Sequence, residues 1–268
     1  MSQPLAPAAT FTRIAEVWIP EGDHLVHGGG AYDGAEGLSD LSGQMSFAKG
    51  EGLPGKAWAE ARPVVLKDFD GSYFKRTEAA KEAGLTCAVA VPVFAGKTLK
   101  AVLVILCGDD ADHHGAIEVW EDEGSKLVLT DGYYGTAKDF EAISQDISFA
   151  YGQGLPGGVW AASTPILMRD LSRIGAFIRA EAAGEIGLKN GLGVPVPVPG
   201  DKSFVLTLLS SENTPIARRF EIWDARPEMV GAEKKALRMD GFCAVEGPLW
   251  PKENPPVDAV SASAWQGP

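Results

Sequence analysis

The sequence predicts an α+β protein made of two copies of one domain, each an antiparallel sheet covered by helices, with a partial third copy forming a C-terminal hairpin. Three observations predict it. Gly52-Leu53-Pro54-Gly55 returns 102 positions later as Gly154-Leu155-Pro156-Gly157. Trp58/Trp160, Pro63/Pro165 and Asp68/Asp170 keep that spacing, and Phe74/Phe177, Arg76/Arg179, Gly84/Gly187 and Val91-Pro92-Val93/Val194-Pro195-Val196 hold at 103. Third, Glu16-Val17-Trp18 recurs as Glu118-Val119-Trp120 and again as Glu221-Ile222-Trp223. One spacing shared by unlike residue types means a repeated core. A period of about one hundred residues suits a self-contained domain rather than a solenoid unit.

Each copy opens with a short strand, 14–19 or 117–120, whose period of two puts Glu16 and Trp18 on one face. A second strand follows at 25–28 or 126–130, then some twenty residues read as loop. The Gly-Leu-Pro-Gly turn launches a short helix through Trp58 or Trp160, because proline is tolerated near a helix start. Strands at 63–66 and 165–168 end at Asp68 and Asp170. Helices over 74–83 and 177–186 stop at Gly84 and Gly187. Two nearly continuous apolar strands complete each unit, 87–94 with 101–107 and 191–198 with 204–209, and such runs imply burial on both faces. The domains are expected at 12–110 and 116–212. The partial copy at 219–250, in which Gly247-Pro248-Leu249-Trp250 reads as a decayed version of the glycine-proline turn, is expected to dock on a complete domain, with a tail at 251–268.

Composition excludes several classes. Hydrophobic residues make up 45% and charged residues 22%, as in an ordinary globular protein. A net charge of −12 argues against nucleic-acid binding, which needs clustered Lys and Arg. No apolar run reaches the roughly 18 residues of a membrane span, and the N-terminus lacks the pattern of a secretory signal. Cys87, Cys107 and Cys243 form a sparse, odd set that suits reduced thiols in the cytoplasm.

Gly-Leu-Pro-Gly-x-x-Trp, Pro-Val-Val-Leu-Lys-Asp, the Phe-x-Arg-x-x-Ala-Ala segment, Gly-Leu and Val-Pro-Val together resemble the GAF domain family of small-molecule sensor modules. The resemblance covers roughly residues 12–212, both copies. It implies a six-stranded antiparallel sheet, a pocket between sheet and helices, and regulatory ligand binding without catalysis. The long flanking helices of that family are missing, so the second face of each sheet is expected to be covered by the other domain or by a homodimer partner. No output domain is identified after residue 212, which points to a separate output protein.

The candidate site follows from the repeated helix. Arg76, Ala79, Ala80 and Ala83 form one stripe, as do Arg179, Ala182, Ala183 and Ile186. An arginine heading an apolar stripe must have its charge paired. Either it pairs with Asp68 or Asp170, or its fork of donors holds a small anionic ligand beside Phe74 or Phe177. Tyr133 and Tyr134 are candidates for the pocket rim. The Glu-Val-Trp strands read as a half-exposed face or a domain interface. Asp109, Asp110, Asp112, His113 and His114 read as a solvated linker rather than a metal site. No sequence motif requires a cofactor. The leading expectation is a non-enzymatic tandem sensor. The alternatives are a redox enzyme acting on a thiol or sulfoxide through Cys87 or Cys107, and a structural interaction module with no ligand.

Overall fold

The computed structural model describes residues 10–32, 35–108, 115–172, 175, 177–224, 237–243 and 245–251. The acidic, histidine-containing segment at 109–114 and the tail after 251 lie outside them. The chain divides into two compact units, residues 1–216 and 217–268.

The larger unit holds the two expected α+β repeats. In the first, β1 (Thr12–Glu21), β2 (His24–Tyr32), α1 (Glu36–Gly43), β3 (Ser46–Ala48), α2 (Gly52–Glu60), β4 (Val64–Leu66), α3 (Thr77–Glu82), β5 (Leu85–Ala95) and β6 (Thr98–Gly108) follow in order. The second repeats them as β7 (Gly115–Asp122), β8 (Lys126–Tyr133), α4 (Lys138–Gln145), β9 (Ser148–Ala150), α5 (Gly154–Ala162), β10 (Ile166–Arg169), α6 (Ala180–Glu185), β11 (Leu188–Pro197) and β12 (Ser203–Ser211). Each repeat forms one six-stranded antiparallel sheet, ordered β3-β2-β1-β6-β5-β4 and β9-β8-β7-β12-β11-β10. The order is the same in both.

Two elements depart from the sequence reading. The stretch expected to be loop contains α1 and α4, where Gly37 and Gly43 obscure the helical pattern in the first copy. The repeated helix is shorter than expected, because Arg76 and Arg179 sit at its N-cap with non-helical backbone (φ −117° and −97°).

The glycine-proline turn explains itself. Gly52 and Gly154 adopt φ of +58° and +60°, open to glycine at little cost. A Cβ on Gly55 or Gly157 would lie 2.1 or 2.2 Å from the carbonyl oxygen of Ala48 or Ala150. The helix start therefore presses directly on the preceding strand, and a backbone bond from Gly50 N to Gly55 O (2.7 Å), repeated by Gly152 and Gly157 (2.9 Å), closes it.

Both faces of the central strands are buried. Facing the helices are Ile14, Trp18, Ala88, Ala90, Val104 and Leu106 in the first repeat, and Ala116, Trp120, Val205 and Leu209 in the second. Their neighbours Val89 and Ile105, like Ile117, Val119, Leu206 and Leu208, point to the opposite faces and are equally buried. The two repeats supply this cover for each other. Thr86 on β5 hydrogen-bonds Tyr133 on β8 at 3.0 Å, Lys67 pairs with Asp131 at 3.1 Å, and β5 approaches β11. The start of β1 is tied to the chain after β12, with Phe11 N donating to Pro215 O (3.0 Å) and Thr12 N to Ile216 O (2.8 Å).

In the smaller unit, β13 (Arg219–Asp224), β14 (Leu237–Cys243) and β15 (Gly247–Pro248) form a three-stranded sheet. Its first hairpin is a true third copy. A bulge falls just before the tryptophan in all three, between Val17 and Trp18, Val119 and Trp120, and Ile222 and Trp223. The glutamate of each faces a glycine: Glu16 with Gly30, Glu118 with Gly132, Glu221 with Gly241. Gly247-Pro248 does not form a helix-launching turn. It pairs with Phe242 and Cys243 as an edge strand, the role that β3 and β9 have in the full copies.

Candidate functional site

In each repeat one buried carboxylate gathers the surrounding layers. Glu16 on β1 and Glu118 on β7 are both 0% exposed, held on the helix side of the sheet by the alternation that also buries Trp18 and Trp120. The indole Nε1 of each tryptophan donates to the carboxylate two residues before it, at 3.2 and 3.1 Å. The facing glycines leave room for the next partner. Tyr32 and Tyr134, two residues beyond them, donate their hydroxyls to Glu16 (2.9 Å) and Glu118 (3.1 Å).

The arginines complete the cluster. Arg76 donates from Nη2 to Glu16 Oε2 at 2.8 Å and from Nη1 to Oε1 and to Ser42 Oγ. Arg179 repeats this on Glu118 (Nη2 to Oε2, 2.9 Å) and on Ser144 Oγ at 2.5 Å. Thr207 Oγ1 adds a bond to Glu118 at 2.8 Å. Both arginines are nearly fully buried, so these are two-pronged, desolvated ion pairs. Aromatic rings enclose them. Arg179 lies 4.7 Å from the Phe140 ring centre and 5.3 Å from that of Phe177, while Arg76 lies 5.4 Å from Phe74 and 5.7 Å from Trp18. Arg179 Nε keeps a buried hydrogen without an acceptor.

The electrostatics follow from this geometry. Burial pushes the Glu16 carboxyl up, but hydrogen bonds and charge from Arg76, with Ser42 and Tyr32, outweigh it and hold the carboxyl below its ordinary range. Burial likewise opposes Arg179, Thr207 and Trp120 at Glu118, and again the pairing wins. Burial, with the Glu16 charge behind it, raises the Tyr32 hydroxyl to about 12, and Tyr134 is raised in the same sense. Each cluster therefore pairs one carboxylate with one guanidinium and holds one neutral phenol near neutral pH.

The residues expected at the site divide in two. Arg76, Arg179, Phe74, Phe177 and Tyr134 meet in the clusters. Asp68 and Asp170 do not: the expected arginine–aspartate pairing is replaced by arginine–glutamate pairing. Asp68 instead accepts from Asp70 N at 2.9 Å, and Asp170 pairs with Lys189 at 3.0 Å. They lie close to the arginines in sequence, but at strand ends outside the buried layer. Tyr133 points to the interface between repeats, one residue out of phase with Tyr134. The Glu-Val-Trp strands, expected to be half exposed, hold the innermost charge. Ser42 and Ser144 escaped notice, although their spacing of 102 marks them as a repeat pair.

Residues 8–113 match the GAF domain family. The first repeat, which this match covers, is GAF-like. The second, with the same strand order and the same buried cluster, is GAF-like, and GAF domains are modules of the sensor and ligand-binding type. The chain aligns with the GAF domain of A. aeolicus nlh2 in an inactive state (21% identity, 37% of this chain and 59% of that one, TM-score 0.31). It also aligns with free methionine-R-sulfoxide reductase from Neisseria meningitidis in complex with its substrate (16%, 38% and 53%, TM-score 0.28). A third is a GAF domain/HD domain protein from Geobacter sulfurreducens (13%, 37% and 65%, TM-score 0.32). The chain thus spans between half and two thirds of the length of these structures. No curated protein sequence matches it.

Among the described residues no group of three or more His, Cys, Asp or Glu side chains is placed to hold a metal ion, and no helix is long and apolar enough to cross a membrane.

Proposed function

We propose that the protein is a non-enzymatic tandem GAF-like module that binds a small molecule in the layer between helices and sheet and acts through a separate partner. One observation carries this reading. In both GAF-like repeats the buried Arg, Glu and Tyr of that layer are engaged with one another and with a serine. In the first repeat His27 Nε2 is also bonded, to the Tyr32 hydroxyl at 2.9 Å, so among the described residues each ionisable group of these clusters already has a partner. A group engaged in a desolvated two-pronged pair is poorly placed for proton transfer.

The network also supplies a means of response. Ser42 from α1, Arg76 ahead of α3 and Tyr32 from β2 all end on Glu16. A ligand that competes for one of these bonds would bind one arrangement of the helical layer more tightly than another and shift its population. Because Glu118 already neutralises Arg179, the remaining Nε donor suits a neutral acceptor, such as a carbonyl, better than a full anion.

The thiols argue in the same direction. Cys87 and Cys107 oppose one another across β5 and β6 on the sheet face away from the helices, both 0% exposed. A nucleophile needs access to its substrate, and full burial denies it there. The test is a thermal-shift screen of the full chain against neutral and anionic metabolites, repeated with Cys87, Cys107 and Cys243 changed to alanine. A stabilising compound that acts equally on both proteins is the expected result. Turnover of a thiol or sulfoxide that disappears in the cysteine-free protein would refute it.

A further inference from the structure

The two repeats differ at one end of the helix–sheet layer. In the first, Phe94 on β5 faces Leu99 on β6 beyond a bulge, and both pack with Trp58 against the core. Trp18 opposes Val102 where Trp120 opposes Val205, so the ladders align 103 positions apart. That alignment puts Pro197 in place of Phe94 and Lys202 in place of Leu99. Pro197 faces Ser203 without a bulge, and exposed Lys202 turns to Glu121. Both apolar plugs of the first repeat are absent from the second.

A half-open, mainly apolar cleft of about 130 Å³ stands there, lined by Trp160, Ser163, Pro195, Pro197, Ser203 and Val205. We propose that this cleft binds the single aromatic ring of a small organic molecule, which takes the place that the Phe94 phenyl fills in the first repeat. Size and walls agree. An apolar cavity of about 150 Å³ holds a benzene ring, and the flat faces of an indole and two prolines suit a planar guest. Ser163 and Ser203 are the polar residues of the lining, so a ring with a small neutral polar substituent fits better than an ion, the nearby Lys202 charge being spent on Glu121. The cleft shares no residue with the Arg179 network, and the inference goes beyond the function proposed above.

Fluorine NMR of 4-fluorophenol with the full chain tests it. The wild-type protein is expected to broaden and shift the ligand signal saturably, at sub-millimolar to millimolar concentration. Pro197→Phe, which restores the plug of the first repeat, is expected to weaken binding at least tenfold. Ser203→Trp fills the cleft from the opposite strand and gives the same loss if Pro197→Phe disturbs the hairpin. No saturable binding by the wild-type protein up to several millimolar, or undiminished binding in either folded plugged variant, would overturn the proposal.

Discussion

Glu118 and Arg179 hold each other by both prongs inside the second repeat, with Nη2 2.9 Å from Oε2, as Glu16 and Arg76 do in the first at 2.8 Å. The third hairpin keeps a version of this habit, since Arg238 approaches Glu221 at 3.5 Å. A glutamate beside a tryptophan, opposite a glycine and answered by an arginine, is thus the most persistent feature of the repeat. Pairs buried this deeply are costly to desolvate, and their geometry must recover the cost.

Breaking one partner is the direct test. Arg179→Met leaves Glu118 buried and uncompensated, and is expected to destabilise the protein by about 3–5 kcal/mol. Glu118→Leu together with Arg179→Met removes both charges, and is expected to cost less than Arg179→Met alone. Urea unfolding of the wild-type, single and double variants gives the comparison. A double variant less stable than the single would mean that the pair itself, rather than the orphaned charge, dominates.

Acid should weaken the same pairs. Despite their burial, Glu16 and Glu118 titrate below the ordinary glutamate value of 4.5, because Arg76 and Arg179 favour the charged form. A carboxyl whose folded value lies below its unfolded one stabilises fully above the unfolded value and loses that contribution as pH falls through the folded one. Stability is therefore expected to fall on acidification below about pH 4.5, and Glu118→Gln, which cannot titrate there, to show a shallower fall. Equal acid slopes in the two proteins would contradict the depressed value at Glu118.

The fold was largely legible because the repeat fixes it twice. Any reading of 14–107 had to fit 117–209 as well, and the apolar strands, turns and glycine stops agreed. The site was half legible. Arg76 and Arg179 stood out as charges on apolar stripes, but their partners were sought nearby in sequence, at Asp68 and Asp170. The true partners lie some sixty residues earlier, across the sheet. Their signal was present: the period of two put Glu16 on the same face as Trp18, and a carboxylate beside a large buried ring needs a cation. The helices α1 and α4 were missed because their stability comes from packing Leu38 or Phe140 onto the core rather than from intrinsic propensity.

The glycine-proline turn gives a sharp pair of outcomes in adjacent residues. Gly157→Ala drives a Cβ to 2.2 Å from the Ala150 carbonyl oxygen, a backbone atom that can move little, so a loss of about 1–3 kcal/mol or more is expected. At Gly158, inside α5, the nearest atom would be Ile166 Cδ1 at 3.4 Å. Gly158→Ala is expected to be neutral or to stabilise by up to about 1 kcal/mol, through lower chain entropy in the unfolded state. Thermal melts of both variants settle the matter, and equal effects would mean that the helix start is not pressed onto β9.

The thiols report on how the repeats cover each other. Cys87 and Cys107 are cross-strand neighbours on the face that the second repeat covers, and both are fully buried, while Cys243 in the third hairpin is 8% exposed. Reaction with an aromatic disulfide reagent needs a thiolate in contact with solvent. In the native protein Cys87 and Cys107 are therefore expected to react only as fast as the structure opens, and all three thiols at once in denaturant. Substitutions that crowd the shared face, such as Val119→Trp or Leu206→Trp, are expected to speed the native reaction of Cys87 and Cys107. Mass analysis of the labelled peptides separates the three rates, and rapid native labelling of Cys107 would show that the face between the repeats is open to water.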